Sequence, residues 1–187
     1  AATRIRWSSN PSSGYGIDLC PSGVESMFCI FQDITFDGND TLDNGIKYSG
    51  ANLFRNCTIQ RCNNIGLDIY EGMNNGSFEN TQVVQNHVYG VRFRGSTVVD
   101  NTICRFSKCR IGENGAANTG ADLYIENARQ ALFESCTFEA GYSRSLYAYG
   151  RNDISGAPIS GVTFLNCWFE NANEYSSGDY NYQIYSD

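Results

Sequence analysis

The 187-residue sequence predicts an all-β fold, a right-handed single-stranded parallel β-helix of about six to seven coils. Three observations predict it. A six-residue kernel led by phenylalanine recurs along the chain, a second motif led by a small residue recurs between its copies, and helical periodicity is absent. The composition agrees. With 12 Tyr, 11 Phe, 19 Gly and only 3 Pro, the chain favours short strands joined by polar turns.

The kernel is an apolar residue, any residue, a small polar residue, two more residues, and a second apolar residue. It occurs as Phe31-Gln32-Asp33-Ile34-Thr35-Phe36, Phe54-Arg55-Asn56-Cys57-Thr58-Ile59 and Phe78-Glu79-Asn80-Thr81-Gln82-Val83. It returns as Phe106-Ser107-Lys108-Cys109-Arg110-Ile111, Phe133-Glu134-Ser135-Cys136-Thr137-Phe138 and Phe164-Leu165-Asn166-Cys167-Trp168-Phe169. The leading phenylalanines are 23 to 31 residues apart. That drift suits a solenoid, which takes insertions at its turns and not within its strands. Equivalent strands of successive coils must lie side by side, and one turn per coil makes them parallel. The six leading rings are therefore expected to stack along the axis.

Eight residues after each leading Phe stands a turn position: Asn39, Cys62, Asn86, Asn114, Gly141 and Ala172. Asn tolerates the left-handed conformation of a sharp corner, and stacked amides can hydrogen-bond along the axis. The second motif then follows, a small residue before alternating apolar positions. Its copies are Gly16-Ile17-Asp18-Leu19, Gly45-Ile46-Lys47-Tyr48, Gly66-Leu67-Asp68-Ile69, Gly90-Val91-Arg92-Phe93, Gly120-Ala121-Asp122-Leu123 and Ser145-Leu146-Tyr147-Ala148. Each coil thus carries at least two short strands of period two.

The fourth kernel position reads Ile34, Cys57, Thr81, Cys109, Cys136 and Cys167. A column that exchanges Cys with Ile and Thr is an interior stack of small residues rather than a row of disulfides. The cysteines are expected to be reduced, as in a protein made in a cytoplasm. Residues 1–187 read as one β-helix domain. Its strand-like start, Ala1-Ala2-Thr3-Arg4-Ile5-Arg6-Trp7, is read as the cut end of a longer chain.

The Phe-x-Asn-Cys-x-Phe kernel, the Asn turns and the Gly-apolar-x-apolar strands together resemble the pectate-lyase-like β-helix superfamily. Phe164-Leu165-Asn166-Cys167-Trp168-Phe169-Glu170-Asn171 is the clearest copy. Within that superfamily the chain looks most like the trunk of a bacteriophage tailspike. The resemblance implies a homotrimer on a virion tail, attachment to bacterial surface polysaccharide, and often its depolymerisation by hydrolysis or elimination. A non-catalytic shaft or adhesin module and a secreted pectate-lyase-like enzyme are the alternatives.

Candidate site residues come from the outward positions of the second motif. One column reads Asp18, Lys47, Asp68, Arg92, Asp122 and Tyr147, and the next reads Tyr70, Arg94, Tyr124 and Tyr149. Asp68 and Asp122 would stand two coils apart with Arg92 between them. At about 4.8 Å per coil that places the carboxylates roughly 9–10 Å apart, near the spacing of an inverting glycosidase. Tyr70, Arg94, Tyr124, Tyr147 and Tyr149 would then bind substrate, since sugar rings pack on aromatic side chains. Cross-strand charge pairing produces the same alternation of Asp with Lys and Arg, so a structural charge ladder is the competing reading. Glu139 and Glu170 form a second candidate pair, and Asp37, Asn39, Asp40 and Asp43 a candidate calcium turn. No cofactor is implied and no metal constellation is apparent. The formal net charge of −7 argues against sequence-independent nucleic-acid binding, and no apolar run is long enough to insert in a membrane.

Overall fold

A computed structural model describes residues 3–19, 28–48, 50–69, 74–94, 102–115, 120–126, 129–139, 144–149, 161–170 and 183–185; for residues 74, 75, 102, 103, 129, 149 and 183–185 only the backbone is described. The chain winds through three sheets whose strand pairs are all parallel. Sheet A stacks Thr3–Arg6, Ile34–Asp37, Thr58–Gln60, Gln82–Val84, Arg110–Gly112, Thr137–Glu139 and Trp168–Phe169. Sheet B stacks Tyr15–Asp18, Asn44–Tyr48, Ile65–Ile69, Tyr89–Phe93, Ala121–Ile125, Leu146–Tyr149 and Gln183–Tyr185. Sheet C stacks Ile30–Gln32, Leu53–Arg55, Asn74–Glu79, Thr102–Ser107, Arg129–Glu134 and Thr163–Leu165. The kernel spans the corner from C to A, and the second motif lies in B. This is the right-handed parallel β-helix predicted from the repeats.

The register puts each leading phenylalanine on the next: Phe31 on Phe54, Phe54 on Phe78, Phe78 on Phe106, Phe106 on Phe133, and Phe133 on Phe164. Their ring centroids are 4.5, 5.2, 4.6, 4.8 and 5.0 Å apart, with interplanar angles of 8–18°. A parallel sheet sets this spacing, and offset stacking tolerates it. Sheet A adds a second inward column of Phe36, Ile59, Val83, Ile111, Phe138 and Phe169. Sheet B adds Ile46, Leu67, Val91 and Leu123, all buried. These three columns form one continuous core.

The kernel's small polar position has a backbone cause. Asp33, Asn56, Asn80, Lys108, Ser135 and Asn166 all have φ between 47° and 56°, so each turns the chain from sheet C into sheet A in the left-handed region. Outside that corner, Asn56 Nδ2 donates to Asp33 Oδ1 at 2.9 Å and Asn80 Nδ2 donates to Asn56 Oδ1 at 2.9 Å. The thiol column follows at once. Cys57, Cys109, Cys136 and Cys167 each point a thiol at the carbonyl of the previous coil's phenylalanine, Phe31, Phe78, Phe106 and Phe133, at 3.3–3.5 Å. Thr81 does the same to Phe54 O at 3.4 Å. Cys and Thr therefore exchange here because both are small and carry a donor. Among the described residues, the seven cysteines are free.

The corner from A to B corrects one expectation. Asn39 does take a positive φ, but at Asn86 and Asn114 the left-handed residue is the one before, Gln85 (φ 58°) or Glu113 (φ 57°). The two amides turn inward instead and make a buried ladder. Asn86 donates from its backbone N–H (3.0 Å) and its Nδ2 (2.9 Å) to Asn114 Oδ1. Cys62 N–H donates to Asn86 Oδ1 at 3.1 Å. The glycines of sheet B make room for them: a Cβ at Gly66 would lie 2.5 Å from Asn86 Nδ2, and one at Gly90 would lie 2.5 Å from Asn114 Nδ2. Gly141 and Ala172, the last two members of the predicted turn column, lie outside the described residues.

Candidate functional site

Sheet B carries Asp68, Arg92, Asp122, Tyr124, Tyr147 and Tyr149 of the predicted site residues, but its register differs from the expected one by two residues in one coil. Arg92 is flanked by Asp68 on one side and by Tyr124 on the other, and Tyr124 is followed by Tyr147. The outward column is therefore Asp18, Lys47, Asp68, Arg92, Tyr124 and Tyr147. Asp122 does not belong to it. Ala121, Leu123 and Ile125 alternate with period two, so a slip of two residues leaves the apolar pattern unchanged. Packing decides between the two registers: Ile125 fills the column of Phe93, and Asp122 is drawn into the core beside Asn114. Asp122 is wholly buried, so the expected Asp68–Asp122 pair with a water between its carboxylates is not formed. The same slip moves Tyr124 out of the Arg94 column and pairs it with Arg92 instead.

Asp68 is also buried, beneath three donors. Arg92 binds it with Nε at 2.9 Å and Nη2 at 2.8 Å, the parallel fork that guanidinium and carboxylate favour. Arg94 Nη2 lies 3.1 Å from Asp68 Oδ2. The third donor, Tyr15, comes from two coils away: its hydroxyl reaches Asp68 Oδ2 at 2.5 Å and accepts from Arg94 Nη2 at 3.1 Å. Burial raises the Tyr15 phenol to about 12, helped by the charge and hydrogen bond of Asp68 and opposed by Arg94 and Arg92. The cluster holds two cations, one anion and a neutral phenol. Lys47 and Asp18, at 3.7 Å, continue the charge ladder toward the first coil.

Beyond Arg92 the face turns aromatic. The Tyr89 and Tyr124 rings lie 4.7 Å apart, tilted by 31°, and Tyr124 and Tyr147 lie 5.3 Å apart, tilted by 57°. The Arg144 guanidinium sits 4.7 Å over the Tyr147 ring. Burial, with Glu126, Tyr89 and Tyr147 adding, raises the Tyr124 phenol to about 12. With both phenols raised, Tyr89 and Tyr124 are hydrogen-bond donors at neutral pH. Because their rings lean on one another, they offer edges and hydroxyls more than open faces.

Tyr70 lies outside the described residues, and Tyr149 is described only as a backbone position, paired with Tyr185. Sequence reasoning missed Tyr15 and Tyr89. A signal for both existed: each directly precedes the motif glycine, as Tyr15-Gly16 and Tyr89-Gly90. The second acidic candidate keeps its register, since Phe138 pairs with Phe169 and brings Glu139 next to Glu170, but Arg110 Nε already binds Glu139 at 2.5 Å. Asp37 of the candidate calcium turn is likewise already engaged. Asp37 is buried and held by Arg61 through Nε (2.8 Å) and Nη2 (2.6 Å), by Arg6 Nε (3.3 Å), and by Arg4. Burial pushes the Asp37 carboxyl up, but Arg61, Arg4, the Asn39 N–H and Arg6 outweigh it and bring the carboxyl to about 2.

No curated protein and no solved structure matches the chain. The family model described as the right-handed β-helix region matches residues 44–185, most of the chain and most of all three sheets. With coils, register and corners all of that kind, the chain belongs to the right-handed β-helix family.

Proposed function

We propose that this β-helix recognises a bacterial surface polysaccharide along sheet B, as the trunk of a tailspike-type attachment protein. The observation that carries the reading is the outward tyrosine ladder Tyr89–Tyr124–Tyr147, which runs along the axis with Arg92 and Arg94 at its foot. A glycan laid parallel to the axis meets a new phenol or guanidinium about every 4.8 Å, near the length of one extended sugar residue. Tyrosine and arginine suit hydroxyl-rich ligands: both present hydrogen-bond donors on a stiff, partly apolar body.

The reading is one of binding without cleavage by this face. Asp68 already accepts from Tyr15, Arg92 and Arg94, and Asp122 is inside the core. A homotrimer with its trunks side by side, synthesised with reduced cysteines and acting outside the cell, completes the proposal. The thiol column supports that compartment, because its cysteines serve as small interior donors.

Affinity electrophoresis through gels of capsular and O-antigen polysaccharides tests the proposal. Retardation by at least one polysaccharide, lost at least tenfold in Tyr124→Ala with the circular-dichroism spectrum unchanged, is the expected result. Unaltered binding by that variant would move the site off this face. Light scattering reads the subunit number. Reducing-end and ultraviolet assays on the same mixtures report hydrolysis and elimination, and neither product is expected.

A further inference from the structure

The buried carboxyl of Asp122 has no role in the proposed glycan face, and its surroundings are unlike those of its equivalents. The same position in other coils is Gly66, Gly90 or Ser145, residues with little or no side chain. Among these equivalents Asp122 is the acid, and it ends the amide ladder. Asn114 donates to Asp122 Oδ1 from its backbone N–H (3.1 Å) and from Nδ2 (3.0 Å). That repeats the pair of bonds by which Asn86 engages Asn114 Oδ1 at 3.0 and 2.9 Å. Asp122 Oδ1 thus stands in for an amide oxygen. Its second oxygen, Oδ2, is buried with no hydrogen-bond partner.

We infer that Asp122 is a proton-binding site, held as a neutral carboxylic acid that closes the Asn86–Asn114 ladder, so that losing the proton loosens this corner of the solenoid. Arg110 attracts an ionised form, but that guanidinium is already committed to two other carboxylates. On the sheet A side, Arg110 is engaged by Glu113 Oε1 and Glu139 Oε1, each at 2.5 Å, and Glu113 itself repels a second negative charge. On the sheet B side the neighbours are Gly90, Ser145 and the Arg144 carbonyl, which accepts the Asp122 N–H at 2.8 Å. No cation makes an ion pair with Asp122 among the described residues. An unpaired buried carboxylate is costly enough that the group takes up a proton instead. Burial accordingly sets the Asp122 carboxyl well above the usual carboxylate range, with the Asn114 bonds and the Arg110 charge opposing.

The sign of the linkage follows. The folded state holds a proton that the unfolded chain releases in the ordinary carboxylate range. Stability from this group is therefore full below that range and is lost as pH rises toward the folded group's own titration, by up to about tenfold in the unfolding constant per pH unit. Urea unfolding of the full chain between pH 4 and 8, wild type against Asp122→Asn, reads this directly. The amide keeps Oδ1 and cannot ionise, so the wild-type unfolding constant should rise relative to the variant's as pH increases, by up to that tenfold per unit. A difference independent of pH overturns the inference. A carbon-13 titration of the aspartate carboxyls in folded wild-type protein decides it even if the variant fails to fold. A resonance for Asp122 that stays protonated above the other aspartates supports the site, and one that titrates with them or below them overturns it.

Discussion

Replacing Phe78 by alanine removes a ring that is fully buried and touched from both sides along the axis. Phe54 lies 5.2 Å away in one coil and Phe106 lies 4.6 Å away in the other, with Tyr48 at 4.9 Å across the core. Losing the burial of such a side chain costs about 2–3 kcal/mol. The two stacked pairs add about 0.5–1.5 kcal/mol each, less whatever the neighbours recover by relaxing into the space. Sheet ladders on both flanks limit that relaxation, so a net cost of about 3–5 kcal/mol is expected for Phe78→Ala. Phe31 supplies the comparison. It stands at the head of the column, half-buried, with one stacked neighbour, Phe54, at 4.5 Å. Phe31→Ala should cost about half as much. Urea unfolding followed by far-ultraviolet circular dichroism measures both. The denaturant slope of Phe78→Ala is also informative, because a break in mid-solenoid lets the two halves unfold separately and lowers it. Equal costs for the two variants, or a Phe78→Ala cost under about 1 kcal/mol, would refute the idea that the axial ring stack carries the fold.

Two further outcomes are expected. Asp37→Asn should destabilise the chain by about 2–4 kcal/mol, short of the full cost of breaking a buried ion pair because Arg4 and Arg6 reach solvent. Because the folded Asp37 carboxyl sits at about 2, below its unfolded value, its contribution is present above the ordinary carboxylate range and vanishes as pH falls through about 2. Acid unfolding curves of wild type and variant should therefore converge at the acid end; Asp37 adds stability as pH rises, whereas Asp122 loses it. Cys109→Thr should stay within about 1 kcal/mol of wild type by thermal unfolding, since Thr81 already fills the same place one coil earlier with the same bond to a phenylalanine carbonyl.

Much of this molecule is written in its repeats. The Phe31-to-Phe164 stack, the thiol column and the inward positions of sheet B up to Phe93 follow from residues recurring at the coil interval, because parallel pairing makes each coil the template of the next. The candidate face was legible only in part. Asp68, Arg92, Arg94 and Tyr147 were placed correctly on the outward side of sheet B, while Asp122 and Tyr124 were each placed in the wrong column. A two-residue slip keeps an alternating pattern intact, so periodicity has no power to choose between the two registers. The choice was made by packing: the fit of Ile125 against Phe93, and two N–H groups of Asn114 in need of an acceptor. The Tyr15–Asp68 bond depends on the fold in the same way. It joins residues 53 apart in sequence across an intervening coil, and only the side-chain reach of a tyrosine along the stacked strands brings them together. Sequence by itself determined which residues stack, since stacking follows the coil period; tertiary structure decided which polar groups meet, since that depends on the length of each turn and on which buried donor still lacks a partner.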